Sequence, residues 1–282
     1  MAKRKRGFTR EKYEKWIKEG RGQGEGADYK PWLLIQDVPS KGKCSRILGI
    51  KTKRQHELFS DNEANYFYSI DFSEPVIDIR EQFPLLPIED TIGIAQELGI
   101  KHPTDPKSQE VIVITTDFLI STVDENGKRL LARTVKQHED LNSERQMEKF
   151  EIERRYWLHK GIDWGVVSEK EINETLAKNI ELVYQFCNLK DLVGFQDLSP
   201  ERLKEIVDEF KKEIIGVSTN IREKSHEFEE RMLLEVGCGI SIFKHLIITK
   251  QISISMTEPI NIDKPIEIKR LEERELLENE NL

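Results

Sequence analysis

The clearest alternation of apolar and polar character lies in Glu110–Lys136, EVIVITTDFLISTVDENGKRLLARTVK. β-Branched and apolar residues run from Val111, break at Asp124-Glu125-Asn126-Gly127 and resume from Leu130 to Val135. An Asn-Gly pair between two such runs selects a tight turn, so a β-hairpin is predicted. Upstream, Tyr13, Trp16 and Ile17 fall at helical spacing and predict a short surface helix, while Trp32–Val38 and Arg46–Ile50 read as short extended segments. Ser60-Asp61-Asn62-Glu63 has the form of a capping box and opens a helix whose apolar face is Ala64, Phe67 and Ile70. Beyond the hairpin, Leu141, Met147, Phe150, Tyr156 and Trp157 predict core positions on an amphipathic helix over 139–160, and Trp164–Val167 a further strand.

From Ser168 the pattern changes from mixed to mainly helical. Ser168 with Glu171 is expected to cap a helix bearing Ile172, Leu176, Ile180 and Val183. Ser199-Pro200 starts a second helix that runs to Ile215, and Arg222–Val236 forms a third. Two strands, Lys244–Thr249 and Gln251–Met256, then complete a winged-helix-like module. The expected domains are therefore 1–167 and 168–282.

A length of 282 residues suits two moderate domains, and 37% hydrophobic residues suffice for their cores. The 34% charged content marks a soluble, polar surface. No apolar run approaches a membrane span and no apolar signal core follows the basic start, so a cytoplasmic protein is expected. Cys44, Cys187 and Cys238 form no CxxC pair, which excludes a zinc ribbon or disulfide framework, and no HxxxH or HExxH spacing supports a zinc enzyme. A net charge of −8 argues against a uniformly basic nucleic-acid binder. Charge is uneven, however, with Lys3, Arg4, Lys5 and Arg6 at the start and Glu272, Glu273, Glu275, Glu278 and Glu280 at the end. The alternating glycines of Gly20–Gly26 precede no helix and so make no Walker or Rossmann loop; a linker and a phosphate-approaching loop with Arg21 both fit them. Leu234-Glu235-Val236-Gly237-Cys238-Gly239 looks like a methyltransferase glycine loop, but too little chain follows to build that α/β fold, and a turn at Gly237 is expected instead.

The hairpin brings Asp117 and Lys136 onto adjacent strands at similar distances from the turn. A carboxylate able to hold a divalent metal beside an ammonium able to orient a water is the core of a phosphodiester hydrolase. On its own such a pair is equally a solvated ion pair, and Glu63 equally a plain helix cap. Together, an acid on an N-terminal helix, an acid on a strand and a lysine on the next strand form the constellation of a restriction-endonuclease-like nuclease, in the order Glu63, Asp117, Lys136. Glu153 lies on the following helix, where a surface salt bridge with Lys149 or Arg154 is expected.

A collinear series of short segments then resembles the TnsA family, endonuclease subunits of heteromeric cut-and-paste transposases. The segments are Lys18–Gly24, Asp28-Tyr29, Pro31-Trp32, Val76–Pro87, Gly99–Pro103, Thr115–Leu119, Glu153–Trp157 and Lys170–Asn173. The resemblance implies an α/β (α+β) restriction-endonuclease-like core with a mainly helical, winged-helix-like C-terminal domain that docks partners and possibly DNA. It implies Glu63, Asp117 and Lys136 as catalytic residues, with magnesium, or manganese in its place, held by Glu63 and Asp117. It further implies cleavage of the 5′, non-transferred strand at transposon ends by in-line attack of water. The implied partners are DNA, an RNase-H-like transposase subunit of the TnsB type and an AAA+ ATPase regulator of the TnsC type. Two positions before the lysine the nuclease motif has Glu, Asp or, in TnsA relatives, Gln, where this chain has Thr134; a hydroxyl is a poorer ligand, so Thr134 is expected to bind the metal through water or to leave the job to the Val135 carbonyl. A standalone restriction or repair nuclease and a catalytically silent regulatory subunit are the alternatives.

Overall fold

The computed structural model describes residues 7–38 and 43–269, so the basic start and the acidic end lie outside the described residues. Two compact units divide the chain between Asn173 and Glu174. The stretch from Ser168 closes the first unit: Lys136 N–H donates to the Val167 carbonyl at 3.0 Å, and His138 N–H to Glu169 Oε2 at 2.8 Å. Ser168 and Glu171 do bond each other, Ser168 N–H to Glu171 Oε2 at 2.7 Å, but they close a turn and start no helix.

In the first unit, α1 (Arg10–Lys18) is capped by Thr9, and Trp16 is buried rather than set on a surface helix. It packs with Phe8, Trp32 and Val113. Gly20–Gly26 is no linker either. Gly22 N–H donates to the Lys30 carbonyl at 2.6 Å, and Arg21 is spent on the Trp32 carbonyl and on Asp37, at 3.0 and 2.6 Å. Trp32–Val38 is a turn, not a strand. A small antiparallel pair, β1 (Ser45–Leu48) and β2 (Gln55–Leu58), leads into α2 (Asp61–Phe72). The Ser60 cap forms as expected, with Glu63 N–H donating to Ser60 Oγ at 3.1 Å.

The main sheet has the order β3 (Val76–Pro84), β4 (Thr115–Asp124), β5 (Gly127–Val135), β6 (Asp163–Val167). The first two pairings are antiparallel; β5 and β6 are parallel, joined through α4 (Glu144–His159). The predicted hairpin is β4–β5, with Asp124 opposite Gly127 and Gly127 at φ 105°, where a side chain would be strained. It starts later than the apolar run suggested: Val111 makes only an isolated bridge to Thr104. Helix α3 (Ile88–Glu97) and α4 cover the sheet, and Leu85, Ile94, Leu119, Ala132, Ile152, Tyr156 and Trp157 form the core between them. Met147, expected in the core, is 49% exposed.

The second unit contains α5 (Glu174–Tyr184), α6 (Pro200–Ile214), α7 (Ile221–Met232) and α8 (Cys238–Ile248). Ser199 caps α6 with Pro200 in its first turn, as predicted. The expected strands at Lys244–Thr249 and Gln251–Met256 are absent, because the first is the end of α8. Ile242, Phe243, Leu246 and Ile247 are all buried, and an apolar run that packs on several sides reads as a strand until tertiary context makes it a helix. Strands form elsewhere: β7 (Ser218–Asn220) pairs antiparallel with β8 (Pro265–Glu267), and Ser253 bridges Lys269. Leu233 at φ 54° ends α7 and Gly237 at φ 97° opens α8, so the glycine-loop look-alike is an inter-helix turn. Among the described residues no helix is long and apolar enough to cross a membrane.

Candidate active site

At the open end of the hairpin the strand ladder delivers Asp117 from β4 and Val135 and Lys136 from the end of β5. Asp117 Oδ2 accepts from the Val135 N–H at 2.8 Å and from Lys136 Nζ at 3.0 Å, and Nζ also donates to the Val135 carbonyl at 2.9 Å. One ammonium therefore sits on two oxygens that the sequence assigns to a cation. Asp117 is buried and Lys136 half-buried.

Glu63 reaches the same place from the first turn of α2. Its Oε2 accepts from the Phe59 N–H at 2.9 Å, and its Oε1 from Ser60 Oγ at 3.2 Å. The capping role and the site role thus coincide in one side chain. Burial pushes the Glu63 carboxyl up to about 7, and the negative charge of Asp117 adds to the rise. For Lys136, burial works against the ammonium, but Asp117 in contact, with Glu63 and Glu153 behind it, raises its pKa above the ordinary lysine value. Lys136 is therefore charged at neutral pH.

Thr134 is buried and adjacent, but its hydroxyl is engaged elsewhere. It donates to Glu153 Oε1 at 2.5 Å and accepts from Trp164 Nε1 at 3.3 Å. Glu153 is not the surface ion pair expected of it. It is buried from α4 and accepts from both Thr116 Oγ1, at 2.6 Å, and Thr134 Oγ1, and burial pushes its carboxyl up to about 7. Each of these threonines stands beside or near a site residue on its strand, so the Glu153 carboxyl ties β4, β5 and α4 together directly behind Asp117 and Lys136.

Two further groups had no signal in the sequence. Gln82 on β3 has φ 48° and lies between the pairs Glu81–Phe118 and Phe83–Thr116, hence across from Asp117. Its amide reaches Glu63 Oε2 and Thr115 Oγ1, each at 3.5 Å, contacts at the long limit of hydrogen bonding. Next to it, Glu81 is fully buried in a network with Arg54 and His56. Arg54 Nη1 donates to Glu81 Oε1 at 2.8 Å, His56 Nδ1 lies 2.7 Å from Oε2, and His56 Nε2 is 2.7 Å from Thr52 Oγ1. Burial alone would raise the Glu81 carboxyl, but His56 and Arg54 hold it at about 2. The network anchors β2 to β3 and so supports the strand that faces Asp117. A nonlocal pairing of this kind leaves no local motif.

Among the described residues no group of three or more His, Cys, Asp and Glu side chains is arranged to hold a metal ion. The donors at the hairpin end are two carboxylates and a backbone carbonyl.

Comparisons with known proteins bear on the family of the chain. The family profile described as TnsA-like endonuclease N terminal matches residues 73–169, and that described as TnsA endonuclease C terminal matches residues 171–256. A curated relative, the Transposon Tn7 transposition protein TnsA of Escherichia coli, is 47% identical over 206 residues, which cover 73% of this chain and 71% of that protein.

Proposed function

Since the chain belongs to the TnsA endonuclease family, we propose that it is a magnesium-dependent subunit of a Tn7-type transposition system that cuts the 5′, non-transferred strand at each transposon end. The observation that carries this reading is the Lys136 ammonium bridging Asp117 Oδ2 and the Val135 carbonyl, beside a Glu63 whose proton affinity Asp117 raises.

The donor set fits the metal. Glu63, Asp117 and the Val135 carbonyl are hard oxygens of the kind magnesium or manganese takes, and two close carboxylates that compete for one negative charge are relieved by a dication. When bound, magnesium supplies the Lewis acid that polarises the phosphodiester and lowers the pKa of water. The protein's own residues do the rest. Asp117 fixes the Lys136 ammonium, and that ammonium orients the attacking water and stabilises charge developing on the phosphate. Glu63, whose burial and whose neighbour Asp117 favour its protonated form in the metal-free site, gives up that proton to hold the metal beside Asp117. The Glu153 carboxyl keeps the two strand ends in register through Thr116 and Thr134. Thr134 has no cation contact in this scheme, and the Val135 carbonyl takes its place.

An RNase-H-like, TnsB-type subunit then cuts the 3′ strand and recognises the ends, which accounts for a nuclease that is itself acidic. The second unit docks a partner, a TnsC-type ATPase regulator in this scheme. Its element order, α6, β7, α7, α8, the Ser253 bridge and β8, is that of a winged helix with the wing between Ser253 and Pro265, which supports that fold for it.

In a reaction reconstituted with the transposase subunit, Asp117→Ala and Lys136→Ala are expected to abolish 5′ cleavage by at least about 100-fold while 3′ cleavage persists. Complete double-strand excision by both variants would remove these residues from the chemistry.

A further inference from the structure

Helix α4 carries Arg145, Lys149 and Glu153 at four-residue intervals, so the three lie along one stripe with about 6 Å between neighbouring Cβ atoms. Glu153, at one end, is turned into the site onto Thr116 and Thr134. That withdraws the carboxylate which Lys149 would pair with at this spacing. The other acids of the middle of the helix are also engaged: Glu148 with Arg145, and Glu151 with Arg154 and Arg155. Among the described residues Lys149 has neither a hydrogen bond nor an ion pair, although it is half-buried. Burial lowers its pKa, and the charges that act on it, Arg145 and Lys136, are cations that lower it further. Arg145 itself is fixed, with Nη2 donating to the Lys101 carbonyl at 2.6 Å.

A partly desolvated ammonium between two other cations and without a counter-ion is unfavourable in the free protein and favourable once an anion arrives. Lys136 differs in that Asp117 holds it in place. We infer that Lys149 is a phosphate-binding residue that grips a phosphodiester next to the scissile one on the cleaved DNA strand. The inference rests on the nuclease reading of Lys136 and Asp117 above. The stripe leads from the exposed start of α4 to the site, so the DNA strand runs along that helix, and Lys149 sets which phosphate stands at Lys136. It acts on substrate placement, not on bond cleavage.

The test is a scan of single methylphosphonate linkages through the cleavage region of transposon-end duplexes, cut by the assembled complex of this chain with its transposase subunit. With the native chain, one neutral linkage beside the scissile bond is expected to slow 5′ nicking about 10-fold at subsaturating DNA, the worth of one charged contact. With Lys149→Ala, nicking of unmodified DNA is slowed to a similar degree, the same linkage costs nothing more, and the salt dependence of binding falls by about one phosphate contact. Lys149→Arg restores the penalty. Persistence of 3′ cleavage shows that the Lys149→Ala complex assembled. If native and Lys149→Ala proteins respond alike at every linkage, Lys149 holds no phosphate. The Asp117→Ala arm reads the parent proposal separately: normal 5′ nicking there overturns the nuclease assignment, whereas its loss together with an unchanged scan overturns only the role of Lys149.

Discussion

In the first unit Arg54, His56, Glu63, Glu81, Asp117 and Glu153 are buried ionisable groups joined by short contacts; among the described residues of the second, the buried polar side chains are Asn179, Ser225 and Glu229. In the second set Asn179 and Glu229 serve the backbone, and the Ser225 hydroxyl has no hydrogen-bond partner among the described residues. Asn179 Nδ2 donates to the carbonyls of Met256 and Glu258 at 3.0 and 2.7 Å, and Glu229 Oε1 accepts from the N–H groups of Gly237 and Gly239 at 2.9 and 2.8 Å. In the first set Glu81 faces Arg54 and Asp117 faces Lys136, charge against charge, while Glu63 and Glu153 accept from hydroxyl and N–H groups; burying so many ionisable groups is an arrangement that desolvation opposes and that an apolar core would avoid. The contrast separates a unit shaped around a reaction from one shaped around a packed helical core whose polar groups close loops.

The largest effect is expected where that burial is deepest. Glu81→Ala strands Arg54 and His56 without a counter-charge and is predicted to cost about 3–5 kcal/mol, enough to unfold the first unit under mild denaturant. Tryptophan fluorescence during urea titration reads this, and a loss below about 1 kcal/mol would mean that the network does not hold β2 to β3.

A smaller effect concerns Glu63 and Glu153. Both carboxyls are raised from 4.5 to about 7 in the folded protein, so between those values the folded state keeps protons that the unfolded chain has released. The contribution of these two carboxyls to stability in metal-free buffer therefore falls as pH rises from 4.5 to about 7, by about 1 kcal/mol per pH unit for each group, against a smaller opposing slope from His102 and His245, whose pKa values burial lowers. Glu153→Gln should remove about half of that slope. A native profile that is flat across the window, measured as the urea midpoint against pH, would show that the two carboxyls are ionised in the fold.

The mildest change lies in the second unit. Asn179→Ala removes the side chain that ties down the part-buried carbonyls of Met256 and Glu258 and is expected to cost about 1 kcal/mol. Hydrogen exchange should speed up over residues 256–260 while DNA cleavage in the reconstituted reaction stays as it was. If cleavage chemistry changes instead, the two units are not as separate in role as their buried groups suggest.

Features built from neighbours in the chain were legible in advance. Asn126-Gly127 announced the hairpin, Ser60 with Glu63 announced α2, and Ser199-Pro200 announced α6, because turns and caps are made by side chains within four residues of the backbone they satisfy. Features built across the fold were not. Lys244–Thr249 reads as a strand and is the end of α8, since burial on several sides erases the period that tells a helix from a strand. Glu153 read as a surface residue on a charged helix, and only the packing of α4 on the sheet turned it inward.

By itself the sequence determined the candidate residues and the elements that carry them, Glu63 on a capped helix, Asp117 and Lys136 at the two arms of a hairpin, because residue type and local turn chemistry need no knowledge of the rest of the chain. Only the tertiary structure decided what those residues touch. It set Lys136 on Asp117 and the Val135 carbonyl, took the Thr134 hydroxyl for Glu153, put Gln82 across from Asp117 and left Lys149 without a counter-ion. Such contacts depend on strand register and on the rotation of one helix, and both are settled by burial summed over the whole unit rather than by any local run of residues.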